Sequence, residues 1–250
     1  MAYSAPRAQN RFNPASKTPF KLSRSKIENF IRCPRCFYLD RRLGIDRPPT
    51  PSFTLNNAVD ALLKKEFDVH RVARTAHPLM DAYGVDAVPF KHEKMEEWRD
   101  AIRRGIQHVF EPANLLVTGG IDDLWVNPKG ELIVVDYKAT SKAGEVVLEG
   151  SGWEMSYKRQ MEIYQWLFRM NGFAVSDTGY FVYCNGRADA KAFDKKLEFT
   201  VTLIPYKGSD AWLPGTLVKI RKCLMQEKLP APDDACEYCM YRRAAAHSEV

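Results

Sequence analysis

Apolar positions along the chain alternate between helical and strand-like spacing. Ile27, Phe30 and Ile31 mark one helix face, with Ser25 and Glu28 as a capping box at its start. Pro34 interrupts that pattern and predicts that the helix restarts there. Residues 47–51, Arg-Pro-Pro-Thr-Pro, form a stiff extended linker. Leu55, Val59, Leu62, Leu63 and Phe67 then follow helical steps, and residues 93–107 predict a further helix. Strands are expected over 115–126 and 131–138, joined by a tight Asn-Pro-Lys-Gly turn at 127–130. The unbroken apolar run Leu132, Ile133, Val134 and Val135 is that of a buried central strand. Residues 139–152 show no period and predict a mobile loop. A strong amphipathic helix covers 153–170, with Tyr157, Met161, Tyr164 and Phe168 on one face. Strands over 178–184 and 196–204 and a helix over 211–227 complete the pattern. There is no internal repeat. This order predicts an α/β fold, with a central mixed β-sheet flanked by helices.

Composition narrows the class. At 250 residues the chain suffices for one large domain. No apolar run approaches the ~18 residues of a membrane span, so no membrane role is expected. The first 20 residues lack the apolar core of a secretory signal and read as a flexible basic arm. The net charge of +6 is compatible with a polyanionic partner. Its distribution is more telling: Arg7, Arg11, Lys17, Lys21, Arg24 and Lys26 occur before any acidic residue. Arg32, Arg35, Arg41, Arg42 and Arg47 extend the bias and suit phosphate contacts.

Chemistry concentrates in two places. Gly119-Gly120-Ile121-Asp122-Asp123 precedes the turn, and Asp136-Tyr137-Lys138 closes the apolar strand after it. Antiparallel pairing across the turn would bring Asp122 and Asp136 together. Paired carboxylates repel, and Mg²⁺ or Mn²⁺ relieves that repulsion. Lys138 lies two residues beyond Asp136 and shares its strand face. Asp123 is the alternative to Asp122 and would face the other way. Such a set suits phosphodiester hydrolysis, with the metal polarising the phosphoryl group and Lys138 orienting or activating water.

The second place is a set of cysteines. Cys33-Pro-Arg-Cys36 and Cys236-Glu-Tyr-Cys239 lie near opposite ends of the chain. Together they supply four thiolates, enough for a zinc ion or an iron–sulfur cluster. Six cysteines without a signal peptide point to a reducing, cytoplasmic setting rather than a disulfide framework. Cys184 and Cys223 read as core thiols, and Trp125 and Trp166 as core aromatics.

In order along the chain, Gly-x-Ile-Asp122, the short turn, the apolar strand and Asp136-x-Lys138 resemble the PD-(D/E)XK nuclease superfamily, in particular its RecB-type and CRISPR-associated exonuclease branch. Gln160-Met-Glu-Ile-Tyr164 is similar to that branch's Gln-x-x-x-Tyr helix motif. Residues 22–45 are similar to its N-terminal Ser/Cys-Pro-Arg helix, and Cys236–Cys239 to its C-terminal cysteine cluster. The resemblance implies a restriction-endonuclease-like core over residues 21–242, a basic arm over 1–20 and a flexible tail over 243–250. The implied activity is metal-dependent DNA hydrolysis, as an exonuclease on single-stranded ends in repair, recombination or defence. Asp122, Asp136, Lys138, Gln160 and Tyr164 would be its catalytic residues. Asp60, Asp122, Asp136 and the Tyr137 backbone would hold the metal. Asp60 stands where the branch usually carries a histidine. The cysteines would hold an iron–sulfur cluster, with zinc as the alternative, since Ala245 occupies the position of the family's last cysteine. The alternative function is a catalytically inactive nucleic-acid-binding module that keeps the cysteine-ligated centre.

Overall fold

The computed structural model describes residues 7–48, 54–144, 146–148, 152 and 154–248. Residues 49–51 of the expected linker, residues 145 and 149–151 of the loop expected over 139–152, and Trp153 lie outside that set. The chain divides into two compact units, one of residues 1–50, 108–118 and 211–250, the other of 51–107 and 119–210.

The first unit carries β1 (Phe20–Ser23), α1 (Arg24–Arg32), α2 (Pro34–Arg41), a short 3-10 turn (Glu111–Ala113), α7 (Leu213–Met225) and α8 (Glu237–Ser248). β1 pairs in parallel with β4 (Leu115–Gly119), which lies between β1 and β3 (Ile106–Phe110). Leu22, Ile27, Phe37, Leu213, Leu217 and Ile220 are fully buried here. Pro34 does restart the helix, because Cys33 ends α1 in an extended conformation and caps α2. The expected capping box at Ser25 does not form. α1 begins a turn-position earlier, after Ser23, whose hydroxyl lies 3.0 Å from that of Ser25.

Asp40 organises this unit. Its buried carboxylate takes Arg7 and Arg41 at 2.6 Å each and Lys26 at 2.8 Å. Three residues read from the sequence as phosphate contacts are therefore committed to an internal acid.

The second unit holds a five-stranded mixed sheet in the order β2-β5-β6-β7-β8: Val88–Pro89, Asp123–Val126, Leu132–Thr140, Thr178–Gly186 and Phe199–Lys207. β6 and β7 run parallel, and the other pairs are antiparallel. α3 (Thr54–Ala73), α4 (Pro78–Ala82), α5 (Met95–Arg99) and α6 (Glu154–Met170) complete it. Ile133, Val135 and Tyr137 point to the same core as Leu63 and Phe67 of α3, together with Trp125, Val182 and Leu203. Leu55 and Leu62, by contrast, lie on the exposed side of α3. Trp125, Trp166, Cys184 and Cys223 are buried, as expected of core residues.

Three local outcomes differ from the sequence pattern. The helix expected over 93–107 shortens to α5, because the Asp100 carboxylate accepts the Arg103 amide at 3.0 Å and turns the chain. The strand expected over 115–126 is two strands in separate sheets. Its break is at the glycine pair: a Cβ on Gly119 would come within 2.6 Å of the Tyr164 ring, and one on Gly120 within 2.4 Å of Ala101. Strands β1, β2 and β3 have no counterpart in the pattern. The 127–130 turn forms as expected, with Asn127 Oδ1 accepting the amides of Lys129 and Glu131 at 3.0 Å.

Burial alone would raise the Asp40 carboxyl, but Arg41 and Lys26 hold it below the usual carboxylate range. A lowered folded value gives stability that is complete above the unfolded value and is lost as pH falls through the folded one. Asp40→Asn is therefore expected to cost about 3 kcal/mol at neutral pH. The gap from the parent should narrow below about pH 4. Denaturant titrations at several pH values check this, and a pH-independent gap would contradict it.

Candidate functional site

The site grows from the pairing of β5 with β6. Asp123 lies opposite Val135 and Leu124 opposite Val134. Continued one step, this register sets Asp122 beside Asp136. Asp122 Oδ2 accepts the Tyr137 amide at 2.8 Å, which fixes the carboxylate against the edge of β6. Asp136 is fully buried on the face of β6 opposite to Tyr137 and forms a close ion pair with Lys138. The Lys138 ammonium also lies 4.3 Å from the centre of the Tyr157 ring on α6.

Asp60, on α3, belongs to the same set. Lys64 sits one helical turn beyond it and reaches Asp60 at 2.7 Å and Asp122 at 3.6 Å. Burial, reinforced by the Asp122 charge, pushes the Asp60 carboxyl above its ordinary value. Burial would lower the Lys138 ammonium, but Asp136 and Asp122 more than offset it and raise its pKa. Two ammonium groups thus lie among three carboxylates. These hard oxygen donors, with Asp122 strained against Asp60, suit a divalent cation.

Asp123 faces the other way and serves a different purpose. Its buried Oδ1 accepts from Arg71, from Arg99 at 3.3 Å and from its neighbour's amide at 2.8 Å. Its Oδ2 accepts the Tyr137 hydroxyl at 2.8 Å. Arg99 grips Asp68 with two bonds of 3.0 Å and donates to the Asp122 carbonyl at 3.2 Å. Burial and the Asp123 charge keep the Tyr137 phenol protonated, so it remains a donor. This network pins the backbone that presents Asp122.

A family model for the PD-(D/E)XK nuclease superfamily matches residues 21–244. The chain belongs to the PD-(D/E)XK nuclease superfamily. Its members generally hydrolyse phosphodiester bonds, so nuclease chemistry and a nucleic-acid substrate are the setting for this site. No curated protein sequence matches the chain. Among solved structures, one titled "Crystal structure of SSO0001" is 16% identical, with a TM-score of 0.45, covering 91% of this chain and 86% of that one. No described helix is long and apolar enough to cross a membrane.

In the candidate site, Gln160 and Tyr164 stand one turn apart on α6. Gln160 Nε2 donates to the Tyr164 hydroxyl at 3.1 Å, and the Tyr164 ring covers Gly119. Tyr157 is the residue of α6 that meets Lys138. Sequence reasoning placed Tyr157 only on an apolar helix face, although it lies one turn before Gln160. It also passed over Lys64, whose four-residue step from Asp60 is the signal of a helical ion pair. Arg71 and Arg99 each show a local acid three residues earlier, Asp68 and Glu96, but nothing local points to Asp123, which is 52 and 24 positions away.

The four cysteines meet within the first unit. Cys33 and Cys239 sulfurs lie 3.7 Å apart, as do those of Cys36 and Cys236, with Cys36 and Cys239 at 3.9 Å. All four are buried, and the set could bind a metal. Burial pushes the Cys33 thiol up to about 12, so without a cation its thiolate is disfavoured.

The two adjacent aspartates should separate in denaturation. Asp123→Ala leaves Arg71 and Arg99 partly uncompensated in the interior and is expected to cost about 3–5 kcal/mol. Asp122→Asn removes a carboxylate that repels Asp60 and is expected to change stability by less than about 1 kcal/mol. Urea unfolding in the presence of EDTA measures both. Equal losses would contradict the division of roles.

Proposed function

We propose that this chain is an Mg²⁺- or Mn²⁺-dependent deoxyribonuclease, acting as an exonuclease on single-stranded DNA ends. The observation that carries the reading is the gathering of Asp122, Asp136 and Lys138 on neighbouring strand ends, with Asp60 added from α3. Asp60, Asp122, Asp136 and the Tyr137 backbone would hold the cation, which when bound polarises the phosphoryl group and acidifies water. Lys138 donates to the attacking water or to the oxygen that gains charge. The Tyr157 ring and the Asp136 carboxylate limit where that ammonium can go. Gln160 and Tyr164, tied to each other, orient the substrate or the lysine from α6.

The basic bias of the chain supports a polyanionic substrate. The nuclease domain in this proposal spans 21–242, with a basic arm before it and a short tail after it. A reducing, cytoplasmic setting in repair, recombination or defence is part of the same reading, supported by the two Cys-x-x-Cys pairs, whose spacing suits a metal centre.

Asp136→Ala is expected to reduce cleavage at least ~100-fold, since loss of even an outer partner of a metal site has effects up to that size. The assay uses 5′- and 3′-labelled single strands with Mn²⁺, alongside a circular dichroism melt. Undiminished cleavage by a folded variant would remove Asp136 from the site. Metal-independent DNA binding by the parent, without cleavage or Mn²⁺ uptake, would favour the inactive binding module.

A further inference from the structure

We propose that the cysteine tetrad holds a single tetrahedral zinc ion rather than an iron–sulfur cluster. This rests on the reading of the tetrad as a metal centre and concerns what occupies it.

The size of the set decides between the two. All four ligand atoms lie within 4.8 Å of one another, with three of the sulfur pairs at 3.7–3.9 Å. A tetrahedral ion with metal–sulfur bonds of about 2.3 Å sets its ligands about 3.8 Å apart. In a four-iron cluster each thiolate caps a different iron and points outward, so the sulfurs stand roughly 6 Å apart. A two-iron cluster keeps two thiolates together on each iron but separates the two pairs by a similar amount. Neither cluster fits inside the observed set without driving α2 and α8 apart.

The local backbone agrees. The two Cys-x-x-Cys pairs are built alike. Cys33 caps α2 and Cys36 lies in its first turn; Cys236 immediately precedes α8 and Cys239 lies in its first turn. Cys33 Sγ accepts the Cys36 amide at 3.4 Å. Each pair therefore brings two sulfurs to the positive end of a helix, which favours thiolates. Two such pairs facing each other complete a tetrahedron and leave no position for a further ligand. Binding converts four thiols to thiolates and releases their protons to solvent. A divalent ion with only thiolate ligands in tetrahedral geometry is zinc by preference among the non-redox metals.

The test uses the full chain, expressed with both iron and zinc supplied and purified without oxygen. Elemental analysis is expected to find one zinc per chain, with no acid-labile sulfide and no broad absorption near ~400 nm. Expression with cobalt should give the visible bands of a tetrahedral cobalt–thiolate centre. A Cys36→Ser/Cys236→Ser variant should lose the zinc and melt below the parent. Iron with sulfide would overturn the zinc assignment and leave the metal centre standing, and one iron without sulfide would do the same. Protein with neither metal, melting like the double variant, would overturn the centre itself.

Discussion

The register of β5 against β6 is the constraint on which the rest of the candidate site depends. Because strand side chains alternate, one choice of register assigns every group at once. Asp136 and Lys138 go to one face of β6, and Tyr137 goes to the other. Asp122 meets the Tyr137 amide, while Asp123 meets the Tyr137 hydroxyl. A slip of one residue would exchange the aspartates and take the Asp123 carboxylate away from Arg71 and Arg99. The network of Arg71, Arg99 and Asp68 opposes that slip, because its charges are satisfied only when Asp123 is on their side.

The site is thus layered. An inward layer of fully committed charges holds the strand ends in place. An outward layer keeps Asp60 and Asp122 partly exposed and in mutual repulsion, relieved by Lys64, beside the buried Asp136–Lys138 pair. Rigid support beneath strained groups is the arrangement expected where charge must be available for chemistry rather than neutralised. The same acids on an unsupported loop would move apart.

Legibility from sequence followed the range of the interactions. The 127–130 turn, the central strand and α6 were legible because periodicity and turn chemistry act over a few residues. The meeting of the two cysteine pairs was legible because thiols at that spacing have few other uses in a chain without disulfides. Strands β1, β2 and β3 were not, being short and defined by their partners. The end of the expected 93–107 helix depended on Asp100 and on the distant hold on Arg99. The split at Gly119-Gly120 depended on contacts with Tyr164 and Ala101 that no local pattern displays.

The cysteine tetrad also imposes an order on the making of the protein. Its first pair is synthesised 200 positions before its second. At ~5–20 residues per second, that delay lasts roughly 10–40 s on the ribosome. Throughout it α2 has no α8 to meet, whereas every residue of the five-stranded sheet emerges in between. The second unit can mature on a continuous run of chain broken only at 108–118, while the first awaits its last segment. Cys33 and Cys36 spend that interval as an open dithiol, and a metal centre there would be complete only once the C-terminal pair arrives.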